Sequence, residues 1–195
     1  MQTQVIFGND SKGSLAGHLL VATPLIQDGC FARSVVYMCA HNEGGAMGLI
    51  VNYTIDSIQM ADVLAQLDIR GDAPSRDFPV HFGGPVEANR GFVVHSADYA
   101  PEDSLFSANG VAVTANISAL QAIGRGQGPR KGMLALGYAG WSSGQLEQEI
   151  ESGGWMVVPA TPQLVFDTDN ELKWNLAMGT LGIDVGHYST DVGHA

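Results

Sequence analysis

The sequence predicts a single α+β domain with a mixed β-sheet and about four helices. Three observations carry this. The 195 residues are 45% apolar and 15% charged, an ordinary globular balance in a chain long enough to build its own core. Eight short runs rich in β-branched residues, many bounded by Gly, Asn, Asp or Pro, have the form of strands. Apolar residues at helical spacing recur in four other segments. Strands come mostly first, and a helix–strand–helix–strand half follows. That order favours α+β over a doubly wound parallel sheet. No repeat, low-complexity tract or linker divides the chain, so one domain is expected over 1–195, with residues 1–16 loosely held.

The first strands are His18–Thr23, Ser34–Ala40 and Ala46–Asn52, the last two joined by the hairpin loop HNEGG. A helix follows in Ile55–Ile69. Asp56 or Ser57 is its expected cap, and Ile58, Ala61, Val63, Leu64 and Leu67 form its apolar face. RGDAPSRDFP, Arg70–Pro79, reads as a surface loop. Strands are next expected at Pro79–Phe82, Gly91–Ser96 and Gly110–Thr114. In the second helix Asn116 or Ser118 caps, and Ile117, Leu120 and Ile123 face inward. The strand Met133–Ala139 leads through a Gly-rich turn into the third helix, GQLEQEIES. There Leu146 and Ile150 make a narrow stripe, and Glu147, Glu149 and Glu151 make a solvated face. After the strand Trp155–Ala160, Thr161 caps a short turn with Pro162 at its first position, where a missing N–H costs nothing. The fourth helix, Glu171–Ile183, should turn Leu172, Leu176, Met178 and Trp174 inward.

The net charge is −11, a field that repels nucleic-acid phosphates and anionic lipid. Arg125, Arg130 and Lys131 form the one basic cluster, read as a solvated turn. No helix-turn-helix or basic recognition helix is present, so direct nucleic-acid binding is not expected. No apolar run reaches the length of a membrane span, and the N-terminus lacks the pattern of a signal peptide. Cys30 and Cys39 are too few for a disulfide framework and read as buried or half-buried thiols in a reducing cytosol. His18, His41, His81, His95, His187 and His194 stand at no metal-ligand spacing, and C-x-x-C is absent. No metal or cofactor is expected. His81 and His95 read as satisfied, half-buried strand residues, and the three tryptophans as core.

Two segments are dense enough to carry chemistry. GWSSG, Gly140–Gly144, satisfies the G-x-S-x-G pattern, with a strand before it and a helix after it, as in a nucleophile elbow. Asp167, Asp169 or Asp184 followed by His187 or His194 would complete a triad order, and HFGG resembles an oxyanion loop in outline. That elbow needs a parallel sheet with helices on both faces, and this chain has too many hairpin-like strands. The plainer reading makes Ser142 or Ser143 a helix cap. An anion seat at this turn is opposed by Glu147 and Glu149. The second segment is HFGGPVEANRGFVVHS, His81–Ser96. Gly83-Gly84-Pro85 forces a sharp turn, and Arg90 either ties to a carboxylate or grips an anionic ligand with its planar fork.

These segments, with GHLLVATPLIQDGCFARSVVYMCAHNEGGAMGLIVN, GYAGWSSGQLEQEIESGGWMVVPA and the closing GHA, resemble the bacterial YqgE/AlgH family from about Gly17 onwards. The resemblance implies bent mixed sheets in one cytoplasmic domain. It carries the label of a transcriptional regulator, linked to alginate control, without an established DNA-binding motif or catalytic centre. It also implies Gly-Pro in relatives where this chain has Ser142-Ser143, which weakens the reading of Ser142 as a nucleophile. The reading that follows is a binding or regulatory protein acting through a protein or small molecule. Its contact surface is expected at Gly83, Gly84, Asn89, Arg90, Gly140 and Trp141. A small serine hydrolase using Ser142 and His187 is the alternative.

Overall fold

The computed structural model describes residues 13–69, 71, 78–101 and 104–183. Within them the strands are β1 (His18–Ala22), β2 (Val35–Asn42), β3 (Gly45–Ile50), β4 (Val80–Phe82), β5 (Val86–Ser96), β6 (Phe106–Ala108), β7 (Val111–Thr114), β8 (Gly132–Ser142) and β9 (Trp155–Pro159). The helices are α1 (Met60–Gln66), α2 (Ile117–Gly124), α3 (Gln145–Glu151) and α4 (Asn170–Gly179), with a π-turn at Gln163–Asp167 ahead of α4.

The strands form one sheet in the order β6-β7-β5-β8-β3-β2-β1-β9, with β4 paired to β8 beside that path. The β4–β8 pairing is parallel and the others are antiparallel. The sheet is therefore mixed, as expected, and β8 is its spine. One edge of β8 pairs with β5. Its other edge meets β4 over Leu134–Leu136 and β3 from Ala139 to Ser142. The change of partner falls at Gly137, where φ is +71°. A side chain there would sit 2.3 Å from the Gly84 carbonyl oxygen. Only glycine tolerates both the left-handed backbone and that approach.

Alternation along the strands divides the core. Leu19, Val21, Val35 and Tyr37 face α4 and the π-turn, packing with Trp174, Ala177 and Met178. Leu20, Ala22, Val36 and Met38 face the other way, with Trp141, Leu146 and Trp155. At the other end of the sheet α1 and α2 pack on Val80, Val93 and Leu134 through Met60, Leu64, Leu120 and Ile123. Both faces are covered, which is why β2 and β3 read as continuous apolar runs.

The structure revises several expectations. The cap of α1 is Gln59, in a reciprocal capping box with Asp62, rather than Asp56 or Ser57. Strand β6 is an addition. Strand β5 begins at Val86, and β8 runs on to Ser142, so Gly140–Ser142 belong to a strand and not to a turn. Helix α4 turns Trp174 and Met178 inward as expected, but Leu172 and Leu176 are 50% and 52% exposed and Lys173 is buried. Cys39 is buried and Cys30 is exposed. Among residues 1–16, only 13–16 are described. Leu15 and Ser14 are tied to His41, through Nδ1 and the carbonyl oxygen respectively.

Candidate functional site

The expected contact residues separate into a structural set and an exposed set. Gly83 and Gly84 cross β8 so closely that a side chain on either would lie 2.3 Å from Gly137 O or 2.1 Å from Tyr138 C. They seat one strand against another. Trp141 is buried against Trp155, and its indole N–H donates to Glu149 Oε2 at 2.9 Å. Gly140 lies beside it in β8. Glu149 also accepts from Trp155 Nε1 at 2.7 Å, so the acidic face of α3 is not simply solvated. Glu147 accepts from His41 Nε2 at 2.8 Å. Its own backbone N–H, and then His41, hold its carboxyl below the usual range.

Asn89 and Arg90 are exposed. Between Val86↔Tyr138 and Gly91↔Leu136, β5 takes five steps while β8 takes two. Residues 87–90 therefore bulge out of the sheet, with Glu87 at φ +48°. The Arg90 fork is already engaged. It donates to Glu87 Oε2 at 3.0 Å and lies 5.1 Å from the Phe92 ring centroid.

Ser142 ends β8. Its N–H and hydroxyl both donate to Gln145 Oε1, at 3.0 and 3.1 Å. The local sheet is antiparallel, so the strand geometry of a nucleophile elbow is absent. The N-cap of α3 is Gly144 at φ +73°; neither Ser142 nor Ser143 caps it, and Gln145 reaches back instead. His187, the other member of the alternative, lies outside the described residues, as do Asp184 and His194. Among the described residues no group of three His, Cys, Asp or Glu could hold a metal ion.

The bulge at 87–90 forms one lip of a groove of about 800 Å³ between α1 and α2. Its floor is Gly91, Val93, Leu134 and Leu136. Its walls include Ile58, Val63 and Leu67 on one side and Ile117 and Leu120 on the other. Asn89, Asn116, Gln66 and Asp62 stand among these apolar surfaces. Leu67 and Ile117 are 42% and 46% exposed.

Sequence reading missed a second cleft, of about 360 Å³, where β4, the start of β8, the π-turn and α4 meet. Lys173, 2% exposed, is held there by neutral acceptors. Its Nζ donates to Val51 O at 2.8 Å, Val165 O at 2.8 Å and Asn170 Oδ1 at 2.9 Å. Burial lowers its pKa to about 8. His81 lines the same cleft and is 1% exposed. Burial first, and then the Lys173 charge, lower its pKa to about 4, with the Val51 carbonyl opposing the fall. Its Nδ1 makes no hydrogen bond. A helix periodicity that favours Leu172 and Leu176 could not reveal this lysine. Its acceptors, on Val51, Val165 and Asn170, are brought together only by the fold.

A family model described as AlgH-like matches residues 19–186. The chain is 46% identical to a UPF0301 protein of Mesorhizobium japonicum, over 94% of each chain. It is 49% identical to one of Afipia carboxidovorans, over 93% of this chain and 90% of the relative. Among solved structures, the solution structure of AlgH from Pseudomonas aeruginosa matches with a TM-score of 0.75 at 36% identity, covering 96% of this chain and 100% of that one. A crystal structure of a Corynebacterium diphtheriae protein matches with a TM-score of 0.71 at 25% identity, covering 94% of this chain and 95% of that one. By the extent of the family match and by these identities, the chain belongs to the YqgE/AlgH family.

Proposed function

We propose that this is a cytoplasmic binding and regulatory protein that captures a small amphipathic molecule in the groove between α1 and α2. The observation that carries this is the groove itself. Its volume of about 800 Å³ lies in the range of small-molecule sites. Its floor is apolar, the amides of Asn89, Asn116 and Gln66 and the Asp62 carboxylate stand among the apolar surfaces, and Leu67 and Ile117 remain half exposed. Asn89 would contribute the orienting amide from the bulge.

A regulatory effect on transcription would then run through the ligand or a protein partner rather than through a grip on the duplex. The net charge of −11 supports that route. The carboxylate on Arg90 supports it too, because the most prominent cation near the bulge is already paired.

A metabolite screen by thermal shift tests the reading, since a ligand that binds only the folded form raises the midpoint. An amphipathic compound should raise it in the native protein, and Ala88→Trp, which fills the groove from the exposed lip, should abolish the rise. A rise that survives Ala88→Trp, or none with any compound, overturns the proposal. For the transcriptional route, duplex DNA is titrated at falling salt. Tight binding that weakens steeply with salt would establish direct phosphate contact and remove the indirect reading.

A further inference from the structure

His41 joins the segment 14–17 to helix α3, and its two ring nitrogens have opposite duties. Nδ1 lies 3.1 Å from the Leu15 backbone nitrogen. An amide N–H only donates, so Nδ1 is the acceptor of that bond. Nε2 lies 2.8 Å from Glu147 Oε1. The Glu147 carboxyl is held below its usual range, so it is ionised at neutral pH and Nε2 is the donor. The two contacts together define a neutral imidazole with its proton on Nε2.

A proton added to Nδ1 reverses only one of them. An imidazolium donates from both nitrogens. Its bond to Glu147 becomes charge-assisted and stronger. Its contact with Leu15 becomes two N–H groups facing each other at 3.1 Å, and it must open. Turning the ring over brings a C–H to Leu15, which accepts nothing either.

The segment hangs on β2 at two places. At the first, the Leu15 N–H and the Ser14 hydroxyl, which donates to His41 O at 3.0 Å, both rest on His41. At the second, the Gly17 N–H donates to Met38 O at 2.9 Å, and the φ of Gly17 is +81°. Glycine at that backbone angle is a ready pivot. Leu15 itself packs, partly buried, on the apolar cluster that contains Trp141, Leu146 and Trp155. The other charges around His41 leave Glu147 in control. On α3, Glu149 is committed to the two tryptophans and Glu151 is exposed. In the β2–β3 hairpin Glu43 is exposed, and on β1 His18 is half-buried. Strands β3 and β8 carry no charged residue.

We propose that His41 is a pH-sensitive latch on this segment. Neutral, it holds Leu15 against the sheet. Protonated, it turns wholly to Glu147 and lets residues 14–16 swing about Gly17, which uncovers apolar surface beside α3.

The test uses the full chain labelled with ¹⁵N. The ring nitrogens of His41 report its protonation as the pH is lowered, and exchange of the Leu15 amide, corrected for the intrinsic effect of pH, reports the latch. Leu15 should lose protection several-fold in step with His41, while the buried amides of Ile50 and Val51, bonded to Gly83 O and Val35 O, stay protected. His41→Asn puts an oxygen acceptor near the place of Nδ1 and does not titrate, so Leu15 should remain protected throughout. Glu147→Gln removes the charge that favours imidazolium but keeps an amide oxygen for Nε2–H, so opening should need a lower pH. Leu15 protection that persists after the His41 ring has titrated overturns the proposal. So does a loss shared with Ile50 and Val51, which is global unfolding, an equal loss in His41→Asn, or opening at an unchanged pH in Glu147→Gln.

Discussion

Trp141 and Trp155 meet edge to face, with ring centroids 5.9 Å apart and planes at 81°, and both indole N–H groups end on the same oxygen of Glu149. One carboxylate of α3 thus joins the end of β8 to the first residue of β9. Deleting it would strand two donors in a largely buried site. Glu149→Ala should cost about 2–3 kcal/mol, the scale of hydrogen bonds to a charged partner. Glu149→Gln should cost less, because its amide oxygen still accepts. Urea denaturation followed by tryptophan emission measures both. A loss under about 0.5 kcal/mol for the alanine variant, the level of an ordinary surface change, would show the clamp to be idle.

Glycines of one backbone type should separate by their surroundings. Gly137 and Gly144 have φ of +71° and +73°. A side chain at Gly137 would meet the Gly84 carbonyl at 2.3 Å, whereas at Gly144 nothing lies within 4 Å. Gly144→Ala should therefore cost only the left-handed penalty, about 1 kcal/mol. Gly137→Ala should cost more than about 3 kcal/mol, because β5 and β8 must part. Equal midpoints for the two variants would mean that the crossing can relax.

Acid should destabilise the fold through His81. Its folded pKa of about 4 lies below the ordinary 6.5, so the unfolded chain binds the proton first. The resulting stability is complete above pH 6.5 and is lost as the pH falls towards 4. The gap corresponds to about 3 kcal/mol. Lys173, lowered from 10.5 to about 8, gives a second rise in stability between those two values. Unfolding free energies measured across pH in the native protein and in His81→Phe check the first window. The variant should flatten the acid limb, and an unchanged limb would assign acid loss to other groups.

Ser142→Ala should leave stability within about 0.5 kcal/mol, since the hydroxyl shares its acceptor with the Ser142 N–H. A fluorophosphonate probe should label neither form. Labelling that depends on Ser142 would restore the hydrolase reading.

Most strands are legible in the sequence because both faces of the sheet are covered, and β2 and β3 are apolar throughout. The β2–β3 hairpin is legible from its turn residues. Strand β6 is not, because three residues are too few to give a period to read. The bulge at 87–90 reads as a run into a strand, because its cause is the partner β8, not its own residues. Helix α4 inverts the ordinary rule that leucine is buried and lysine exposed. Lys173 is buried because distant carbonyls await it, and Trp174 because its indole N–H reaches Ala22 O at 2.7 Å. The same limit hides the role of Glu149, whose two partners stand on either side of it in sequence and converge only in space. Of the expected contact residues, Asn89 lines a groove and Arg90 is exposed on the bulge. Gly83 and Gly84 are legible as bends in the backbone, but their tight approach to β8 is a property of the folded chain alone.

The pairing of β1 with β9, Leu19 opposite Val158, has a bearing on synthesis. A ribosome releases the amino-terminal strand long before its outer neighbour exists, and the Trp174 indole that binds the Ala22 carbonyl comes later still. Until then the nascent chain presents an apolar ribbon with one unsatisfied row of amides and carbonyls, the kind of margin that invites unwanted pairing. Closure is thus a late event that depends on the carboxyl-terminal portion. Shortening the gene from its 3′ end before β9 would leave that margin permanently open and turn a well-behaved polypeptide into an aggregating one.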